Sequence, residues 1–168
     1  MSDESTRCKI CSDVSVRKEL VSLLSVSVLN LESGGIARGL AELEELQEVE
    51  SSAICRTCHS SEWHLLSSVV QWPKFLCIAV KRFQWDDGKM RKVNSRVARL
   101  SDITVGGYSY TLQAVVVHHG SPLSGHYVAI VKRCGQWILH DDSRVDEMGV
   151  LEAAQRASFG HVFSMPAV

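Results

Sequence analysis

Apolar and polar positions along the chain follow several distinct rhythms. From Glu19 to Val28 (Glu-Leu-Val-Ser-Leu-Leu-Ser-Val-Ser-Val) the β-branched alternation predicts a strand. After Gly34-Gly35 the period lengthens. Ile36, Leu40, Leu43 and Leu46 fall at helical spacing, with Glu42, Glu44, Glu45 and Glu48 crowding the other side. That spacing predicts an amphipathic helix over about 36–49 with a solvated acidic face. From Trp63 onward strands dominate. Phe75 to Phe83 is apolar on both faces until Lys81, as in a central strand covered on both sides. Asp86-Asp87-Gly88-Lys89 is a turn, followed by a more polar, exposed strand around Met90 to Val97. Tyr108–His118, Tyr127–Arg133 and Trp137–Asp141 read as further strands, Leu151–Ala157 as a short helix, and His161–Met165 as a closing strand. The fold class is α+β, with a mostly antiparallel sheet and a few short helices. The regular βαβ alternation of a parallel sheet is missing.

Composition narrows the function classes. The chain has 168 residues, 45% of them hydrophobic and 22% charged, which suits one domain, or a domain with an appendage, built on a real core. Eighteen basic residues balance nineteen acidic ones, which argues against a nucleic-acid binder working through a general basic field. No apolar stretch is long enough to span a bilayer, so no membrane association is expected. The opening Met-Ser-Asp-Glu-Ser-Thr-Arg lacks the apolar core of a signal peptide, so the expected location is intracellular. Six cysteines in a reducing compartment read as thiols or metal ligands before disulfides.

Four of the six form two matched knuckles, Cys8-Lys-Ile-Cys11 and Cys55-Arg-Thr-Cys58. A two-residue gap lets both sulfurs of a knuckle face one centre, and two knuckles complete a tetrahedral thiolate set for structural zinc. Four protein ligands leave no open position for substrate, and metal affinity would couple to folding. The alternatives are free thiols or a thioredoxin-type redox motif, which needs a single knuckle at a strand-helix junction. His59, directly after Cys58, is a further possible donor.

A second constellation lies on a hairpin. His126 follows the polar stretch Ser121-Pro-Leu-Ser-Gly125, expected to be a flexible loop, and heads an apolar strand. If Cys134-Gly135 is the turn, Arg133 pairs with Gln136 and Val128 faces Asp141. His126 and Asp141 then become diagonal neighbours on one face, roughly 7 Å apart at the backbone. Asp142 points to the other face in this register, and a one-residue bulge would exchange the two aspartates. An aspartate on one imidazole nitrogen frees the other to deprotonate a nucleophile, whereas the plain reading is a surface histidine beside an acidic turn. A metal cluster of His118, His119 and His126 is disfavoured, because adjacent strand residues point to opposite faces.

Taken in order, Pro73 to Phe83, Tyr110-x-Leu112 through His118-His-Gly120, Gly125-His126-Tyr127-Val-Ala, and Trp137-x-x-x-Asp141-Asp142-x-x-Val145 resemble the ubiquitin-specific proteases. These are papain-like cysteine enzymes that cleave after ubiquitin's C-terminal glycine. The resemblance runs from about Cys8 to Phe163. It implies a zinc-stapled fingers region over 1–72 and a palm-like region over 73–168 that carries His126 and Asp141. His126 would be the general base and Asp141 its orienting acid, with Asp142 supporting near the oxyanion. His118, Gly120, Gly125 and Tyr127 would line the path of ubiquitin's Gly-Gly tail, with Gly125 allowing close backbone approach and Tyr127 beside the catalytic histidine. Cys8, Cys11, Cys55 and Cys58 would hold zinc. The family's nucleophile lies in a Gly-Asn-Thr-Cys-Tyr-like box opening a helix, which no cysteine of this sequence matches. Cys77 reads as a core residue, and Cys134 lies eight residues from His126, roughly 26 Å along a strand. The expectation is the C-terminal part of a deubiquitinase whose activity needs a complementary N-terminal half. Without that half, Leu76, Ile78 and Val80 are expected to be uncovered. The alternatives are a non-catalytic ubiquitin-binding or assembly module, or an incomplete gene product.

Overall fold

The computed structural model describes residues 2–28, 31–45, 47–50, 53–98 and 102–167. In chain order the early elements are strands β1 (Ser2–Cys8), β2 (Val14–Glu19) and β3 (Leu24–Ser27), helix α1 (Leu31–Leu43), and strands β4 (Gln47–Glu50) and β5 (Glu62–Val69). Next come β6 (Phe75–Lys81), β7 (Phe83–Asp86), β8 (Lys89–Lys92), β9 (Ile103–Val105) and β10 (Tyr108–Tyr110). The chain continues with β11 (Ala114–Ser121), β12 (Ser124–Arg133), β13 (Gln136–Asp141), β14 (Arg144–Met148), α2 (Val150–Ala157) and β15 (Gly160–Pro166). Two compact units result, residues 1–22 with 40–72, and residues 23–39 with 73–168. Residues 23–39, expected in the first region, therefore join the second.

The first unit is a four-stranded antiparallel sheet in the order β2-β1-β5-β4. Here the expected 36–49 helix is corrected. Helix α1 starts at Leu31, breaks its helical geometry at Gly35 (φ 64°, ψ −164°), and ends at Leu43. Residues 47–50 are strand β4, paired with β5. Leu46, part of the expected helical stripe, lies outside the described residues. Glu48 sits on β4 and pairs with Lys9 at 3.1 Å, so it belongs to no helix face.

The second unit is built on a seven-stranded sheet, β14-β13-β12-β11-β15-β6-β3. Only the β3–β6 pair is parallel; the other neighbours are antiparallel. The expected 19–28 strand is confined to Leu24–Ser27, with residues 14–19 forming β2 instead. The strand expected from Met90 to Val97 stops at Lys92, and 93–98 are irregular. The one expected from Tyr108 is interrupted at 111–113.

Cross-strand partners share a face, so the register sorts the side chains. One face carries Val115, Ile130, Leu139, Phe163 and Ile78, all buried; the other carries Val131, Ile138, Ser164 and Cys77, which are half-buried. Ala153 and Ala157 of α2 and Leu31 and Ile36 of α1 are buried as well. Leu76, Ile78 and Val80 are 1%, 0% and 5% exposed, contrary to the expectation that they would be uncovered. Each large side chain enclosed here contributes about 1.5–3 kcal/mol.

Candidate functional site

The two cysteine knuckles are near copies of each other. Ser12 N–H donates to the Cys8 carbonyl at 3.0 Å, and His59 N–H to that of Cys55 at 2.9 Å. Cys8 and Cys55 N–H groups donate to the Asp13 and Ser60 carbonyls, both at 2.9 Å. Ser12 and His59 take matching left-handed conformations (φ 61° and 59°), so His59 serves as the turn residue of its knuckle and stands outside the sulfur cluster. The four Sγ atoms lie within 4.8 Å of one another, with Cys8–Cys58 at 3.4 Å and Cys11–Cys55 at 3.5 Å. A tetrahedral ion with metal–sulfur bonds of about 2.3 Å needs edges of about 3.8 Å, so the donor set fits such an ion with little adjustment. Backbone N–H donors also favour thiolates. The Cys8 thiol pKa is lowered to about 7, chiefly by the Cys11 N–H, and that of Cys55 is lowered chiefly by the Cys58 N–H, whereas at Cys11 and Cys58 the backbone donors are outweighed by burial and the neighbouring sulfurs, which raise it.

The β12–β13 hairpin takes the register expected from its turn. Cys134 and Gly135 both have positive φ (49° and 83°), and the ladder runs from Arg133↔Gln136 to Ala129↔His140. His126 Nε2 meets Asp141 Oδ1 at 2.5 Å, with both side chains partly exposed. This contact, and next the charge of Asp141, raises the imidazole pKa above its ordinary value. Asp142 departs from the expectation. It begins a turn with φ 50°, and the donor atoms of His126, Asp141 and Asp142 all lie within 4.8 Å of one another. The alternation of a strand ends at Asp141, which is why extrapolating it placed Asp142 on the wrong side.

The expected flexible loop between His118 and His126 is mostly strand. Pairing runs from His118↔Tyr127 to Ser121↔Ser124, leaving only Pro122 and Leu123 in the turn. Ser121 Oγ accepts from the N–H groups of Leu123 (3.3 Å) and Ser124 (3.2 Å), pinning the tip. Gly120 adopts φ 121°, a conformation that disfavours any side chain. A Cβ on Gly125 would collide with the His118 ring and the His119 carbonyl, so the close approach at this glycine is made by its own hairpin partner. Tyr127 lies on the face opposite His126. Its ring contact is with His118, 4.6 Å between centroids, which corrects the expected packing beside the base.

Other residues of the neighbourhood escaped the sequence reading. Lys92 Nζ donates to the carbonyls of His118 (2.7 Å) and Gly120 (3.2 Å), holding the end of β11. Phe83 and His161 pack against His118 with centroids 5.6 Å and 5.5 Å away. Burial, then the charge of Arg82, pushes His161 down to about 4. Arg82 itself is enclosed, donating to the carbonyls of Gly160, Val93, Ser95 and Ser158 at 2.6–3.1 Å.

The family model described as "Ubiquitin carboxyl-terminal hydrolase" matches residues 3–159. The chain belongs to this family. Among similar proteins, ubiquitin carboxyl-terminal hydrolase 4 of Arabidopsis thaliana is 32% identical over 167 residues, covering 92% of this chain and 45% of its own. Ubiquitin carboxyl-terminal hydrolase 12 of Salmo salar is 36% identical over 157 residues, covering 85% and 42%. The chain thus spans less than half the length of these relatives. The fold resembles that in the SAGA DUB module of Ubp8, Sgf11, Sus1 and Sgf73 bound to monoubiquitin. There the TM-score is 0.80 at 19% identity, covering 99% of this chain and 40% of that one. A yeast SAGA DUB module with a mutant Sgf73 gives 0.79 at 20%, with the same coverage.

Within this ubiquitin hydrolase fold, no cysteine meets the imidazole. Four are in the sulfur cluster. Cys77 is on β6, three strands from β12, or roughly 14 Å, and on the face opposite His126. Cys134 turns the far end of the hairpin.

Proposed function

We propose that the chain is the base-bearing part of a cysteine-type deubiquitinase that hydrolyses the bond after ubiquitin's C-terminal glycine. The observation carrying this reading is the 2.5 Å contact between His126 Nε2 and Asp141 Oδ1 at the end of a tightly registered hairpin. With Nε2 held by the carboxylate, Nδ1 is left to take the proton of an attacking thiol and return it to the leaving amine. Asp141 fixes the tautomer and favours the imidazolium, and Asp142 adds negative charge within reach of both. The thiol would come from outside these residues, in a longer chain or a separate N-terminal half, because none of the six cysteines approaches His126. Gly120, Gly125, His118 and Tyr127 would line the path of the Gly-Gly tail, and ubiquitin would be the partner.

Cys8, Cys11, Cys55 and Cys58 would hold a structural zinc ion. Its chemistry is to lock two knuckles together, with no ligand position open to substrate. A reducing, intracellular setting suits the six free cysteines. Among the described residues no helix is long and apolar enough to cross a membrane.

Purified chain incubated with a ubiquitin probe bearing a C-terminal thiol-reactive group tests the assignment of roles. The chain alone is expected to stay unlabelled, while a mixture with the cysteine-bearing N-terminal half of a relative is labelled in a His126-dependent way. Labelling of the chain alone that disappears in Cys77→Ser or Cys134→Ser would overturn the missing-nucleophile reading.

A further inference from the structure

A cleft of about 540 Å³ opens beside the end of β11, lined within the second unit by β11, α2 and the segment after β8. Its cations are Lys92, Arg96 and Arg156, and among the described residues no carboxylate lines it. Each retains donor capacity. Lys92 uses two of its three protons on carbonyls. Arg96 lies over the Phe159 ring at 5.5 Å, so its guanidinium edge stays open. Arg156 meets Glu152 through a single nitrogen, at 2.8 Å. Gln155 adds an amide to the same wall.

His118 also lines the cleft, but its ring is 6% exposed and packed against Phe83, Tyr127 and His161, so the cations and not the imidazole present the polar surface. Burial, then Lys92 and His119, lowers the His118 pKa, keeping the ring neutral. Three cations along the cleft make a receptor rich in donors and positive charge.

We propose that this cleft binds an acidic peptide segment of a partner protein, its Asp and Glu carboxylates meeting Arg96, Arg156 and Lys92. The volume is far larger than one simple anion needs. The positive groups sit on separate elements, a spacing suited to successive carboxylates. His119, which also lines the cleft, pairs across the hairpin with His126, so the bound segment lies next to the proposed base. This inference needs no catalytic role for His126, although His118 and Gly120 also line the proposed path of the Gly-Gly tail.

Fluorescence polarisation of a labelled hexaglutamate peptide against the full chain is the test. Saturable binding is expected, weakening as salt rises, with a loss of about tenfold in affinity for Arg96→Gln or Arg156→Gln. Gln155→Glu disturbs none of the contacts described above and is expected to weaken binding as well, which separates charge from misfolding. Equal affinity for hexaglutamine, or unchanged affinity in all three variants, would overturn the proposal. Tighter binding of inositol hexakisphosphate than of the peptide through the same arginines would overturn the peptide assignment.

Discussion

Arg82 shows how much one residue can organise without touching substrate. Its guanidinium is 1% exposed and satisfied by four carbonyls from the irregular 93–95 segment, the end of α2 and the start of β15. Burial lowers its pKa to about 10, which leaves it charged throughout the physiological range. Arg82→Met would strand those carbonyls, and a loss of about 3 kcal/mol or more is expected, read as a fall of about 10 °C in Tm. A melt within 2 °C of the unmutated chain would contradict this role. His126 is a residue-scale case of the opposite sign. Its folded pKa is raised by Asp141, so the stabilisation it brings is complete below the unfolded value near 6.5 and fades as pH rises through the raised value. An NMR titration should place the His126 midpoint above 6.5 and return it toward 6.5 in Asp141→Asn. An unchanged midpoint in that variant would mean the contact does not govern the ring.

Elements with a local signal could be read from sequence. The β12–β13 hairpin followed from its Cys134-Gly135 turn, because a two-residue turn fixes register and register fixes which aspartate faces His126. The β7–β8 turn was equally readable from Asp87-Gly88, where both residues have positive φ. What failed depended on partners distant in the chain. The helical stripe beyond Leu43 gave way to β4, whose strand geometry is supplied by β5. Likewise Asp142 joined the histidine through a turn conformation that alternation cannot express. The knuckles combine both scales, since the spacing within each is local while their meeting is not. Metal analysis should find roughly one zinc per chain, and Cys55→Ser should abolish it and selectively unfold the β1–β5 sheet by hydrogen exchange. A chain that folds identically without metal would refute a structural ion.

At the scale of the molecule, the mostly antiparallel α+β class was readable, whereas the order of strands in the sheet and its covering were not. Leu76, Ile78 and Val80 were expected to be bare because the family's helical half was thought necessary to cover them, yet they are buried in this chain. Buried apolar area shows that a core exists but does not identify the segment that covers it. On the opposite face Val131 and Cys77 are half-buried and Tyr127 is exposed. The chain, spanning under half of the relatives it matches, carries the His126–Asp141 pair and the two cysteine knuckles on one polypeptide. The central claim is that His126, oriented by Asp141, serves a thiol supplied from elsewhere. Steady-state hydrolysis of a ubiquitin C-terminal fluorogenic amide, by this chain combined with the cysteine-bearing N-terminal half of a relative, tests it most directly. Turnover absent from either part alone should appear in the mixture and fall by at least about 100-fold in His126→Ala. Turnover that survives His126→Ala, or that the chain achieves unaided, would contradict it.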